Sequence, residues 1–294
     1  MLLKDFIKNG ISSLSTLYPK EEARSMVMYY CADVFGFPSY QHITEPGTEV
    51  PPEMLEQAMD DMRRLAGSEP LQYVLGYTEF CGRSFKVDHR ALIPRVETEL
   101  LCMKAEEMAA ATAPAGPLKI LDLCTGSGCI AWTLAMDLPG AEVTATDLSE
   151  EALELASEQF RRLPKKVVRP RFVKADLLDI EGTISAVGEP SFDVITANPP
   201  YVMNSEKPEM RPNVLGWEPH MAIFAPDRDP LAFHKAIAVT ALRLLSPTGG
   251  AIVEINTELA EETAAVFTRA GFSSVEIIKD LFERPRFVSF RRVR

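Results

Sequence analysis

Asn198-Pro199-Pro200-Tyr201 is the stretch of this chain best suited to chemistry. It follows Phe192-Asp193-Val194-Ile195-Thr196-Ala197, whose aromatic and β-branched residues predict a short buried strand. The two prolines end that strand, because neither donates a ladder hydrogen bond and both fix φ. The tip then offers the Asn198 side-chain amide, the carbonyls of Asn198 and Pro199, and the flat ring of Tyr201. Rigid acceptors beside an aromatic face suit gripping a planar –NH2 group by its two hydrogens. Asn-Pro also starts ordinary turns, so the tip gains meaning from what accompanies it.

Three other positions accompany it. Ile120-Leu121-Asp122-Leu123-Cys124 reads as a buried strand, Thr125-Gly126-Ser127-Gly128 as a tight turn, and Cys129 to Leu138 as a helix. The spacing Gly126-x-Gly128-x-x-Ala131 lets backbone pass close to a ligand. Asp147 stands 21 residues after Gly126, at the end of the next strand, where an acid can accept both hydroxyls of a ribose. Asp147-Leu148-Ser149 also reads as a helix N-cap region. Asp176 ends a third strand, Arg171 to Ala175. Its carboxylate can take an adenine amino group with Leu177 on the ring, or simply close a strand-end turn. The pattern alone does not separate NAD from other adenosine-containing cofactors. Hydride transfer would need an acid or base beside a nicotinamide, and none is evident. A rigid amine grip instead suits methyl transfer to an amide or an exocyclic amine.

These residues need a scaffold that brings strand ends together. Strand-helix alternation continues through a helix over Leu231–Leu245, a strand over Ala251–Ile255, a helix over Glu258–Ala270, and strands over Ser274–Lys279 and Arg286–Arg292. It predicts an α/β fold with a Rossmann-like, mostly parallel sheet whose last strand is antiparallel, with ligands at the carboxyl ends of the strands. Residues 1–75 read as a helical bundle. Leu3, Phe6, Ile7 and Leu14 share one stripe, Ala23, Met26, Val27, Tyr30, Cys31 and Val34 a second, and Leu55, Ala58, Met59, Met62 and Leu65 a third behind Pro51-Pro52. The expected organisation is a substrate-docking domain over 1–75, a β-hairpin linker over 76–96 around Gly76 and Gly82, and a catalytic domain over 97–294. Thr98 or Glu97 starts the helix that follows the linker. The Ser205–Trp217 segment reads as a loop that either closes over a target or connects elements.

Composition narrows the class. The chain has 294 residues, 46% hydrophobic and 25% charged, with a formal net charge of −11. That charge disfavours broad nucleic-acid binding. No run reaches the ~18 apolar residues of a membrane helix, and Met1-Leu2-Leu3-Lys4-Asp5 starts an amphipathic helix, not a signal peptide. Five cysteines without a C-x-x-C or Cys/His cluster point to a reduced, cytoplasmic protein with neither disulfide framework nor structural zinc. The four histidines are scattered, and His234 reads as a packing residue.

In combination these residues resemble class I S-adenosylmethionine-dependent methyltransferases with an Asn-Pro-Pro-Tyr motif, which methylate planar nitrogens. Three segments narrow the resemblance to the HemK/PrmC family, the peptide chain release factor glutamine N5-methyltransferases. They are Ile93-Pro94-Arg95-Val96-Glu97-Thr98-Glu99, Leu121 to Gly128, and Asn198 to Tyr201, in this order behind a helical domain. Pro70 to Gly76 and Glu218-Pro219 match further segments. The sequence departs from the family pattern at Val96-Glu97 (usually Pro-Asp), at Cys124 (the first Gly of the turn) and at Asn256 (where Gly is expected). The resemblance implies S-adenosyl-L-methionine as cofactor. Thr125, Gly126 and Gly128 then line its methionine part, Asp147 its ribose, and Asp176 with Leu177 its adenine. Cys124, Ser127 and Leu148 complete the set. Asn198 would face both cofactor and target, Asn198 and Pro199 oxygens would accept the amide hydrogens, and Pro200 and Tyr201 would pack on the amide plane. The implied partner is a release factor presenting its Gly-Gly-Gln loop, with no membrane, no direct nucleic acid, no metal and no general base. The alternatives are a ribosomal-protein glutamine methyltransferase, a DNA adenine-N6 methyltransferase, an NAD-dependent oxidoreductase and a non-enzymatic binding module.

Overall fold

The computed structural model describes residues 1–112, 116–159, 167–188 and 191–292. The chain divides into two compact units, Met1–Gly76 with Arg211–Trp217, and Tyr77–Met210 with Glu218–Arg294.

The first unit is helical. It contains α1 (Leu3–Leu14), α2 (Lys20–Phe35), the single turn α3 (Gln41–Thr44), α4 (Pro52–Ala66) and α5 (Leu71–Leu75). The 3.6-residue stripes bury Leu3, Phe6, Ile7 and Leu14 against Val27, Tyr30, Ala58, Met62 and Leu65. Met59 falls off the stripe of α4 and is exposed. The run from Leu71 is helical, and Gly76 ends it in the left-handed region at φ +76°. Arg211–Trp217, with the short helix α10 (Pro212–Leu215), completes this unit. There Arg211 pairs with Glu22, and Trp217 donates its indole N–H to Ser68 Oγ at 3.3 Å.

The second unit begins with a hairpin of β1 (Tyr77–Phe80) and β2 (Arg83–Lys86). Then α6 (Glu99–Ala110) precedes the alternating elements β3 (Lys119–Leu123), α7 (Cys129–Asp137), β4 (Glu142–Asp147), α8 (Glu150–Glu158), β5 (Arg171–Lys174), α9 (Ile180–Val187) and β6 (Phe192–Ala197). After them come α11 (Ala232–Leu244), β7 (Leu245–Glu254), α12 (Ala260–Arg269), β8 (Ser273–Lys279) and β9 (Pro285–Arg291). The sheet order is β5-β4-β3-β6-β7-β9-β8. Strands β3 to β7 are parallel, and β9 runs antiparallel between β7 and β8.

Both faces of this sheet are covered, so its central strands are mostly apolar. Leu121, Leu123, Ile195 and Val253 pack on one face with residues of α9, α11 and α12. Ile120, Val194 and Ile252 pack on the other with residues of α6 and α7. This alternation is the period-2 geometry of a strand. Asp193 is a charged exception inside β6, and its carboxylate accepts the Lys119 N–H at 3.0 Å. Strand β7 starts six residues earlier than the sequence suggested, with a register shift that opposes Leu245 to Phe192 and Gly250 to Val194. A Cβ at Gly249 would stand 3.0 Å from the Phe192 carbonyl oxygen, so glycine permits that irregularity. Helix α9 was not anticipated; Asp179 caps it by accepting the Gly182 N–H.

Strand order reverses between β3 and β6, which makes their carboxyl ends the crevice of the sheet. In the first unit, the buried Asp61 carboxylate accepts the Tyr30 hydroxyl at 2.7 Å and the Gln57 amide at 3.0 Å. Tyr30→Phe removes one donor to a buried charge, and the expected cost is about 1–3 kcal/mol. Urea unfolding of the two proteins measures it, and equal midpoints would refute it.

Candidate active site

A cavity of about 180 Å³ lies at the carboxyl ends of β3, β4, β5 and β6. Its wall brings together Cys124, Thr125, Gly126, Ser127, Asp147, Leu148, Asp176, Leu177, Asn198 and Pro200. Gly128, Pro199 and Tyr201 are not part of that wall.

The turn after β3 is shaped from within. The Thr125 hydroxyl is donated to Asp122 Oδ2 at 2.6 Å, and the Thr125 N–H to the Thr146 carbonyl at 2.9 Å. Thr125 therefore forms the turn and has no donor left for a ligand. Gly126 sits at φ +54°, and a Cβ there would meet no atom within 4 Å, so bare backbone faces the cavity. Gly128 serves packing instead, since a Cβ there would lie 2.8 Å from the Cβ of Ala156. Cys124 adopts φ +58° without being glycine. Its departure from the family pattern thus falls at a left-handed position that glycine occupies without strain.

Asp122 is the residue the sequence reading passed over. It is fully buried and accepts hydroxyl hydrogens from Thr125 and, at 2.8 Å, from Thr196 on β6. Burial outweighs these two bonds and pushes its carboxyl up to about 7. Asp147 ends β4 with both oxygens engaged, Oδ2 by the Gly126 N–H at 2.8 Å and Oδ1 by the Ser149 N–H at 2.9 Å. Burial raises its pKa as well. A carboxylate has about four acceptor sites, so Asp147 keeps capacity for two hydroxyls. The N-cap reading also holds nearby, where Ser149 accepts the Ala152 N–H. Asp176 is exposed at its strand end and accepts the Leu178 N–H at 2.9 Å. Leu177 is buried in the core cluster, while Leu148 and Leu178 are exposed apolar residues of the cavity wall.

The tip after β6 is held by residues remote in sequence. Tyr201 donates its hydroxyl to Glu254 Oε1 at 2.8 Å, and Thr98 donates to Glu254 Oε2 at 2.8 Å. Asn198 Nδ2 makes a long 3.5 Å contact to Thr98 Oγ1. Thr98 ends a 3-10 turn, Val96–Thr98, that runs directly into α6, and its side chain makes no cap bond. Glu254 is buried, its pKa is raised by that burial, and the Arg286 guanidinium acts against the rise. His234 is indeed a packing residue. It faces the Glu254 carbonyl with Nε2 at 3.0 Å, so Nε2 carries the hydrogen, and burial depresses its pKa to about 4. Asn256, the third departure, donates to the Tyr201 carbonyl at 3.2 Å and to Glu206 at 2.9 Å, bonds a glycine could not make. Glu218 accepts the Ile93 N–H and the Arg95 guanidinium, fixing the Pro94 and Pro219 parts of the wall.

Two predictions follow from these geometries. Between about pH 4 and 7 the unfolded chain releases the Asp122 proton while the folded chain keeps it, so stability falls as pH rises, by up to about 4 kcal/mol. Asp122→Asn should lack this component. Urea midpoints of both proteins near about pH 5 and pH 8 test it, and parallel pH slopes would refute it. Cys124→Gly should raise stability by about 0.5–1 kcal/mol by relieving the left-handed strain, read as a higher Tm; a lower Tm counts against that account.

Sequence comparison places this geometry among known proteins. A family model described as a methyltransferase domain matches residues 121–205, and one described as the PrmC N-terminal domain matches residues 5–76. The chain is 37% identical over 281 residues to the release factor glutamine methyltransferase of Bacteroides thetaiotaomicron, covering 95% of this chain and 96% of that one. It is 33% identical over 288 residues to the namesake protein of Flavobacterium psychrophilum, covering 98% of each. Among solved structures, a methyltransferase from Pyrococcus furiosus superposes with a TM-score of 0.50 at 18% identity, over 80% of this chain and 99% of that one. That last likeness is one of fold. Near-full-length identity above 30% decides the family: the chain belongs to the release factor glutamine methyltransferases.

Proposed function

We propose that this protein transfers a methyl group from S-adenosylmethionine to the side-chain amide nitrogen (N5) of the glutamine in the Gly-Gly-Gln motif of peptide chain release factors. The observation that carries this reading is the sharing of one cavity by the Asn198 tip and by Gly126, Asp147 and Asp176. The relatives named for this activity support it.

The wall fits an adenosine-containing sulfonium. Gly126 leaves open space beside bare backbone for the methionine part. Asp147 retains acceptor sites for two ribose hydroxyls. Asp176 suits an adenine amino group, with the exposed faces of Leu148 and Leu178 and the edge of Leu177 against the ring. When bound, S-adenosylmethionine supplies an electrophilic methyl group on positively charged sulfur.

An amide nitrogen is a weak nucleophile because its lone pair is delocalised. Asn198 Oδ1 and the Pro199 carbonyl accept its two hydrogens, which favours positive charge on the nitrogen as it attacks. These acceptors are set in advance, and preorganised dipoles are the most effective kind. Pro199 and Pro200 fix the backbone, Glu254 holds the Tyr201 hydroxyl, and Asn256 holds the Tyr201 carbonyl. Tyr201 thus braces the tip, while Pro200 reaches the cavity. Alignment of amide and methyl removes a further entropic part of the barrier. The proton leaves to water, so the step requires neither metal nor general base. We assign substrate docking to the first unit, whose match to the PrmC N-terminal domain supports this role.

The test is incubation with S-adenosylmethionine and an unmodified release factor, read by peptide mass spectrometry across the Gly-Gly-Gln loop, with unmethylated duplex DNA in parallel. The expected product carries one methyl on that glutamine, and the DNA stays unchanged, in keeping with the net charge of −11. Methylated DNA beside an unmodified release factor would overturn the reading. Asn198→Ala should lower kcat by about 10²–10³-fold and leave S-adenosylhomocysteine affinity within a few-fold. Undiminished turnover would remove Asn198 from the chemistry.

A further inference from the structure

We propose that Thr98 and Glu254 form a relay that sets the polarity of the Asn198 side chain, so that its oxygen and not its NH2 faces the target amide. The inference rests on the reading that Asn198 Oδ1 grips that amide.

An asparagine side chain is nearly symmetric in shape but opposite in polarity at its two ends. Turned by a half rotation, Asn198 would present donors to a substrate NH2 group and repel it. Something must choose between the two states. Asn198 Nδ2 lies 3.5 Å from Thr98 Oγ1, and Thr98 lines the same cavity. A threonine hydroxyl has a single hydrogen. Here that hydrogen is committed to Glu254 Oε2 at 2.8 Å. The face that Thr98 Oγ1 shows to Asn198 is then lone pair alone. An NH2 group is attracted there and a carbonyl oxygen is repelled, whichever way the amide is first placed.

Glu254 can serve as the anchor because its own position is fixed. It stands at the end of β7, and its other oxygen accepts the Tyr201 hydroxyl at 2.8 Å. Its backbone carbonyl accepts the His234 Nε2–H at 3.0 Å. The relay therefore joins the residue before α6, the end of β7 and the tip after β6. Thr98 and Glu254 act through Asn198 and are positioning residues. In Glu254→Gln the amide oxygen stays with the Tyr201 hydroxyl, whose own oxygen already takes a hydrogen from Arg286, and the new NH2 group faces Thr98. The Thr98 hydroxyl is then free to donate to Asn198 and to turn the amide around.

The experiment compares Thr98→Val, Thr98→Ser, Glu254→Gln and Asn198→Ala, measuring kcat and KM for the release factor, S-adenosylhomocysteine affinity by calorimetry, and the Asn198 side-chain NH2 resonances by NMR. Thr98→Val keeps shape and removes the hydroxyl. The expected result is a kcat at least about tenfold lower, with cofactor affinity unchanged and the Asn198 NH2 signals shifted. Thr98→Ser restores turnover, and Glu254→Gln lowers kcat in the manner of Thr98→Val. Wild-type kcat in Thr98→Val beside an inactive Asn198→Ala overturns the relay and leaves the Asn198 reading intact. Equal losses in Thr98→Val and Thr98→Ser reduce Thr98 to packing and overturn it too. Wild-type turnover in Asn198→Ala overturns the reading beneath. If Thr98→Val fails to bind S-adenosylhomocysteine, Glu254→Gln decides, and full kcat there refutes the relay.

Discussion

Where β3 and β6 part at the centre of the sheet, the Asp122 carboxylate joins the two threonines that shape the site. Thr125 belongs to the turn below the cavity, and Thr196 to the strand that carries the Asn198 tip. One oxygen on each side keeps the turn and the tip in register. The lateral spacing between the turn and the tip is set by this bond pair. Methyl transfer needs such spacing, because reacting atoms must meet within a few tenths of an ångström of contact distance.

The same device recurs two strands over, on the far side of β6. Glu254 on β7 also takes two hydroxyls, from Thr98 and Tyr201. Both acids are buried, and burial raises the pKa of both. A buried carboxylate is a poor choice for stability, since desolvation commonly exceeds what two neutral donors return. The site keeps two of them, on the strands that flank β6. Their use is orientation: each carboxyl offers one oxygen to each of two hydroxyls and so sets the direction of both. Rigidity in the tip is thereby achieved with polar bonds in a region otherwise filled by Ile, Val and Leu.

The legibility of this arrangement in the sequence follows from distance along the chain. Strand-helix alternation, the Gly126 turn, and the placement of Asp147, Asp176 and Asn198 are all local patterns, each written within a dozen residues. The structure brings these four to one cavity. Asp122 was hidden because a carboxylate inside a buried strand has no meaning until Thr196, 74 residues on, lies beside it. Thr98 read as a helix start, and its true partner lies 156 residues away. Asn256 and Cys124 read as departures. Only the bonds to Tyr201 and Glu206 show what Asn256 adds, and only the backbone angle shows why Cys124 stands out. Thr125 lines the cavity while its hydroxyl and N–H close the turn, and Gly128 lies outside that wall where helix packing needs it, roles that no local pattern spells out. The early start of β7 was masked by Ser246 to Gly249, residues that resemble a loop and instead form an irregular pairing with β6.

Cys124 has one more consequence. A sulfonium methyl is an alkylating agent, and a thiolate within reach would compete with the intended acceptor. Two cysteines, Cys124 and Cys129, stand in the cavity wall. Burial raises both thiols, Cys129 to about 12, and the carboxylates of Asp147, Asp122 and Asp176 push Cys124 further the same way. Since the thiolate and not the thiol is the nucleophile, both sulfurs are held in their less reactive form. The acidic groups that shape the turn therefore also quiet the two thiols that share its cavity.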